Sequence, residues 1–373
     1  MLSLTLLPAA HGDALWIEYG PARGRRRLLI DAGPAHTYPA LQARLEKLKP
    51  AQRRFELVVV SHIDADHIDG ALILLQDRAR LQLQIGEVWF NTWAHLPAHA
   101  RDDFAPLQGE FLGALIGLDA ALAQTLNKRF DRKAVVVPPP PADTTAPVPP
   151  LPVVELAGGA RLTLLGPNPP DLRRLRARWS AAIRDFTPGD AEEAKRRLLE
   201  RREYRPPTGP AVFAARAYGD DRAPANGSSI SLLLEVHGQA VLLAADAHAR
   251  TLAANLARLC AERGVSRLKL DAVKLPHHGS MGNVNIDWLS RVDCDRWLVS
   301  TNGAVFGHPD VQTAELVARC MPAGKRAAFH CNYRSETTER LQDGAAAGGW
   351  SVVYPPKNAA AGRAGEGLTL ELR

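Results

Sequence analysis

The chain has 373 residues, 46% hydrophobic and 23% charged, which excludes wholesale disorder and allows one large α/β domain or two to three smaller ones. Its net charge of +6 suits a polyanionic partner, but only 9 of the 46 basic residues are lysine, an arginine bias that genomic base composition also produces. No run approaches about 18 uninterrupted apolar residues, so no membrane partner is expected. Residues 1–10 are apolar but lack a basic start, and Cys260, Cys294, Cys320 and Cys331 show no paired spacing; a cytoplasmic protein with reduced thiols is expected.

Residues 2–7, 14–19 and 26–31 are short apolar or alternating runs separated by Gly and Pro, predicting antiparallel strands. A helix follows over 39–48, with Leu41, Leu45 and Leu48 on one face. Residues 56–60 are a dense β-branched run, the pattern of a strand buried on both faces, and it ends at Ser61. Residues 111–129 predict one amphipathic helix through Phe111, Leu115, Leu118, Leu122 and Leu126. The Pro-rich stretch 138–152 reads as an extended connection, and 161–165 as a strand. Over 170–225 the composition is that of an insertion: Asp171 is placed as N-cap of a helix carrying Leu172, Leu175, Trp179 and Ile183, and Asp190 as cap of a charged helix to about Tyr204. Its basic run is offset by Glu192, Glu193, Glu200 and Glu203, the mark of a solvated face. Strands 229–236 and 239–245 join at His237-Gly238 as a hairpin; a helix over 249–262 closes at Gly264; strands follow at 270–275, 296–300, 326–330 and 368–372.

The chemistry concentrates in three places, each at the end of an apolar run. His62, Asp64, Asp66 and His67 follow the first buried strand, Asp246 follows another, and His277 and His278 a third. α/β folds place ligands at such strand ends, and imidazole with carboxylate suits zinc, manganese or iron. The competing reading, a solvated acidic loop, leaves dense charge beside apolar strands without a cation. Asp246 alone also fits a helix cap, and the His277-His278 pair alone is a moderate signal; the three together are strong. His95 and His99 read as surface-loop residues, and His248 as either a first-turn residue or a group behind the ligands.

Read in order, His62-x-Asp64-x-Asp66-His67, Asn226-Gly227-Ser228-Ser229, Leu242-Leu243-Ala244-Ala245-Asp246 and Lys274-Leu275-Pro276-His277-His278-Gly279-Ser280 resemble the metallo-β-lactamase superfamily, and within it the soluble hydrolase domain of ComEC-type competence proteins. His11-Gly12-Asp13-Ala14, Leu29-Ile30-Asp31-Ala32-Gly33 and Gly307-His308-Pro309 resemble its early Gly-Asp loop, its largely structural Asp motif and its late His-Pro motif. The resemblance implies a four-layer αββα sandwich over 1–373, as a single domain with insertions at about 95–155 and 166–225. It also implies two divalent ions, zinc or manganese. One would be held by His62, Asp64 and Asp246. The other would take Asp66, His67, Asp246 and one of the pair His277 and His278; the pair stays open, with His277 placed first. Two departures matter: Asp64 and Asn226 stand where the superfamily has histidines. They make the first metal site harder and poorer in nitrogen, and they leave a weak or empty first site open.

The expected activity is phosphodiester hydrolysis of a nucleic acid or nucleotide, with Asp66, His278 and His308 as catalytic groups. Asp13, Asn226, Ser228 and His308 are expected at the substrate. The alternatives are a hydrolase of a small ester, lactone or thioester, and a catalytically weak protein that binds another subunit through its insertions.

Overall fold

The computed structural model describes residues 1–97, 107–141, 145–182, 187–206, 223–355 and 367–372. His99 and Ile183 lie outside them.

The strands of the two main sheets are, in chain order, β1 (Leu2–Leu6), β2 (Leu15–Tyr19), β3 (Arg26–Ile30), β4 (Leu57–Val59), β5 (Val88–Trp89), β6 (Val153–Leu156), β7 (Ala160–Gly166), β8 (Ser231–Val236), β9 (Gln239–Leu243), β10 (Ala272–Lys274), β11 (Arg296–Val299), β12 (Ala328–Cys331), β13 (Ser351–Val353) and β14 (Leu368–Leu372). Among the described residues they form a six-stranded sheet, β14-β1-β2-β3-β4-β5, and an eight-stranded sheet, β13-β12-β11-β10-β9-β8-β7-β6. β1, β2 and β3 pair antiparallel, whereas β3, β4 and β5 run parallel. In the second sheet β9, β10, β11, β12 and β13 are parallel. The last strand, expected at 368–372, takes an edge of the first sheet, with β14 antiparallel to β1 from Leu2↔Leu372 to Leu6↔Leu368.

Alternation along the strands fixes the layers. Leu28, Ile30, Leu57 and Val59 share one core with Leu162, Leu164, Leu232 and Leu234 of the second sheet. Their neighbours Leu29, Val58 and Val60 point the other way, into a second core with Leu41, Leu45, Leu72, Leu112, Leu172 and Leu198. These last residues come from helices α1 (Tyr38–Glu46), α2 (Ala65–Asp77), α3 (Leu107–Gly117), α4 (Pro169–Ala182) and α5 (Ala191–Glu200). Beyond the second sheet lie α6 (Ala249–Arg263), α7 (Val311–Cys320) and α8 (Glu336–Gly348), which send Leu252, Leu256, Val317 and Leu341 into the first core. The order helix, sheet, sheet, helix is the αββα sandwich implied by the resemblance.

Three expectations change in detail. The single helix over 111–129 is broken: α3 ends at Gly117, and Asp119 accepts from the amides of Ala121 and Leu122 to start a separate turn, Ala120–Ala123. Leu118 stays 36% exposed, so the apolar periodicity there crosses a break that Asp119 enforces. Asp171 is inside the first turn of α4, not its cap, because the helix starts at Pro169; its carboxylate reaches back to the Asn168 amide at 3.3 Å and pairs with Arg174 at 2.7 Å. The competing reading of a solvated acidic loop is not what the chain adopts there: Asp66 and His67 sit in the first turn of α2, since the amides of His67 and Ile68 both bond the Asp64 carbonyl, at 2.9 and 3.0 Å.

Elsewhere the signals correspond to the structure. His237 (φ 48°) and Gly238 (φ 85°) make the hairpin turn between β8 and β9, and Gly264 (φ 63°) closes α6. Asp190 caps α5. The Pro-rich connection is tied to α6: Arg258 donates to the carbonyls of Pro138 and Pro149, and Leu151 N donates to Glu262.

Candidate metal centre

Most of the principal site residues follow the C-terminal end of a strand, while Asp66 and His67 stand in the first turn of α2. Asp31 follows β3, His62 β4, Asp246 β9, His277 and His278 β10, and Ser300 β11. The parallel arrangement of β3 with β4 and of β9 with β10 and β11 brings these ends to one rim. The turns there are strained: Asp31 (φ 57°), Ala245 (φ 48°), His277 (φ 45°) and His278 (φ 56°) are all left-handed without being glycine. Two close approaches complete the rim. A Cβ on Gly12 would stand 1.9 Å from the Asp66 carbonyl oxygen, and one on Gly70 2.1 Å from that of Ala32.

Four imidazoles are each anchored through Nδ1. His67 donates to Asp31 Oδ2 at 2.9 Å, and His278 to the Ser300 carbonyl at 2.8 Å; both acceptors lack a proton, so Nδ1 carries it. Asn283 Nδ2 donates to the carbonyls of Asp246 and Ala247, which turns its Oδ1 to accept from His277 Nδ1 at 3.2 Å. Ser61 Oγ gives its proton to Asp31 Oδ2 at 2.7 Å and therefore accepts from His62 Nδ1 at 2.9 Å. All four Nε2 atoms consequently face inward. They converge on a single oxygen, Asp246 Oδ2, at 4.0 Å (His62), 3.4 Å (His67), 3.7 Å (His277) and 3.8 Å (His278).

Around this point, Asp66 Oδ2 lies 3.6 Å from His67 Nε2 and 3.3 Å from His278 Nε2, and Asp64 Oδ2 lies 3.5 Å from His62 Nε2. Ligand atoms of His62, His67 and Asp246 fall within 4.8 Å of one another, as do those of Asp66, His67 and His278. The buried Nε2 of His62 and of His67 and the Oδ1 of Asp246 have no hydrogen-bond partner among the described residues. Lone pairs directed at a carboxylate in a buried pocket repel unless positive charge lies between them. This donor set therefore fits divalent cations, with borderline nitrogen and hard oxygen donors together.

The titration of the groups agrees. Burial would raise the Asp246 carboxyl, but His67, His277 and His278 hold it well below the usual range. Asp66 is held low against burial by His67 and His278. Burial would lower His67, yet Asp246, Asp66 and Asp31 raise it well above its ordinary value; the same balance with Asp246 and Asp13 lifts His278 to about 9. The pocket draws in positive charge of either kind, protons or metal.

Of the residues expected at the substrate, three are buried and one stands at the rim. Asp13 is 1% exposed, ion-paired to the fully buried Lys274 and 3.4 Å from His278 Nδ1, so it stands behind the imidazole and away from the rim. Lys274 and His278 overcome burial and lower its carboxyl to about 2. Ser228 is buried, and its hydroxyl closes the local turn on the Ala225 carbonyl at 2.6 Å. Asn226 is buried in the same turn, and Gly227 faces the ring of His248. His308 stands at the rim, half-buried, with Nδ1 3.2 Å from Asp310 and its ring 5.2 Å from that of His277. His95 is remote, with Nε2 on the Arg132 carbonyl.

Five residues that hold the cage were not singled out for that part by their sequence: Ser61, Ser229, Asn283, Ser300 and Lys274. Ser229 Oγ lies 3.3 Å from His62 Nδ1 and accepts the Asp246 amide at 3.3 Å. The signal available was a polar residue flanking an apolar run, which is too common to select them.

No family model and no curated protein matches the chain. Solved structures to which it is similar include a mutant of CmlA beta-hydroxylase (TM-score 0.39, 13% identity) and CmlA, a diiron beta-hydroxylase from Streptomyces venezuelae (TM-score 0.37, 13% identity). The alignments cover 100% and 99% of this chain and 54% of those chains, so it spans about half the length of the proteins it matches. Superpositions this loose carry no argument about chemistry, and the likeness to ComEC-type proteins rests on the motifs. No helix among the described residues is long and apolar enough to cross a membrane.

Proposed function

We propose that the chain is a metal-dependent hydrolase of phosphodiesters, acting on a nucleic acid or nucleotide. The observation that carries the reading is the convergence of four inward Nε2 atoms on Asp246 Oδ2 with Asp66 and Asp64 beside them. His62, Asp64 and Asp246 would hold one ion, and Asp66, His67, Asp246 and His278 the other. Divalent ions in such a cage supply Lewis acidity toward the phosphoryl group and lower the pKa of water. Within the protein, Asp31, Ser61, Ser300 and Asn283 keep each imidazole in one tautomer and one orientation. Asp66 and Asp246 are the acceptors that orient water for attack on phosphorus. His308, which contacts Asp310 through Nδ1, would give a proton to the leaving alkoxide, a task the fully buried His278 is less free to perform. The arginine-rich surface would favour a polyanionic substrate.

Turnover of bis(p-nitrophenyl) phosphate and single-stranded DNA against a lactone panel, with added manganese or zinc, tests the reading. Phosphodiester turnover that disappears in Asp246→Ala supports it. Lactone turnover alone, or activity unchanged in that variant, refutes it.

A further inference from the structure

Phe306 is used neither by the metal cage nor by the proton donor. Its ring is half-buried and packed among imidazoles: His11 edge-on at 5.8 Å, His277 at 5.9 Å, His278 parallel (1°) at 6.4 Å, and His308 nearly parallel (22°) at 6.5 Å. The loop that carries it is fixed at both ends. Asn302 N donates to the Ala10 carbonyl at 2.8 Å, Asp310 N to that of Gly279 at 3.1 Å, and Met281 N to Asp310 Oδ2 at 2.8 Å. Gly303 (φ 72°) and Gly307 (φ 74°) give the left-handed turns on either side of the ring. The result is a half-buried aromatic ring beside the buried polar cage, in ring contact with His277 and His308.

An aromatic ring in that setting offers what a polar cage lacks, a flat apolar surface for the part of the substrate that is not phosphate. Bases stack on such rings whatever their identity, because each presents a π-face. We propose that Phe306 is the stacking plate for a nucleobase of the substrate and thereby the residue that selects nucleotide phosphodiesters over sugar phosphates. A base seated on Phe306 leaves its sugar-phosphate beside His277 and His308. The proposal rests on the phosphodiester reading above.

The test is calorimetric titration of the metal-loaded full chain with thymidine 5′-monophosphate and with ribose 5-phosphate, and it needs no turnover. The wild type is expected to bind the nucleotide about tenfold more tightly than the sugar phosphate. Phe306→Ala and Phe306→Leu are expected to bring that ratio close to one, and Phe306→Trp to keep it. A wild-type ratio near one, a ratio retained in Phe306→Leu, or equal weakening of both ligands in Phe306→Ala would each overturn the proposal; the last two outcomes would make the ring a packing group. Bis(p-nitrophenyl) phosphate turnover by the wild type is read separately. A normal ratio without turnover leaves the stacking plate standing and refutes the reaction, and turnover with a ratio near one does the reverse.

Discussion

Asp31 Oδ2 accepts the Nδ1 proton of His67 at 2.9 Å, across 36 residues of sequence, and the same carboxylate accepts the amide and hydroxyl of Ser61 at 2.7 Å. One buried carboxylate therefore sets two imidazoles, His67 directly and His62 through Ser61. Outer groups of this kind govern metal affinity by about 10–100-fold. Asp31→Asn is expected to keep the fold and lose metal affinity by that factor. Metal content after dialysis, read by mass spectrometry beside circular dichroism, checks it; full occupancy in the variant would show that His67 orients without Asp31.

The charge balance of the cage sets a pH dependence. Without metal, His278 titrates near 9 in the folded chain against an ordinary value of 6.5. A folded value above the unfolded one contributes stability that is complete below pH 6.5 and is lost as pH rises toward 9. Asp13 runs the other way: lowered from 3.8 to about 2, it contributes fully above pH 3.8 and loses that contribution as pH falls toward 2. Chelator-treated protein should therefore melt at progressively lower temperature from pH 6.5 to 9. Saturating zinc or manganese should flatten that slope, because the cation replaces the proton. Identical slopes with and without metal would contradict a cation at this position.

Lys274 and Asp13 form a buried ion pair with side chains 0% and 1% exposed. Removing one partner strands the other charge, at about 3–5 kcal/mol. Lys274→Met should cost that much in urea unfolding, and adding Asp13→Leu should return part of it. Strictly additive losses in the double variant would mean that the pair is not coupled.

Gly12 and Gly70 have no room for a methyl group, since each would drive it into a backbone carbonyl at 1.9 and 2.1 Å. Gly12→Ala is expected to destabilise by about 1–3 kcal/mol and to displace the first turn of α2, which carries Asp66 and His67. Guanidinium unfolding and metal content should fall together; a loss of stability with metal content intact would separate the turn from the cage.

Much of this was present in the sequence because it is local. Apolar runs ending in His62, Asp246 and His277-His278 already mark strand ends with ligand-type side chains, and strand alternation already marks two buried faces of the first sheet. The break at Asp119 and the start of α4 before Asp171 were not legible, since apolar periodicity continues across a cap and says nothing of where a carboxylate turns.

What the sequence determined by itself is the donor inventory and its placement after apolar runs, both consequences of side-chain chemistry and local patterning. Only the tertiary structure decided that Asp13 stands behind His278 on Lys274, that Ser61, Ser300 and Asn283 fix the imidazole tautomers, and that Phe306 packs against His277, His278 and His308. Several of these relations join residues far apart in the chain, 22 positions for His278 and Ser300 and 36 for His67 and Asp31. They arise when parallel strands bring their ends to one rim, and nothing in the neighbourhood of each residue along the chain encodes which partner it meets.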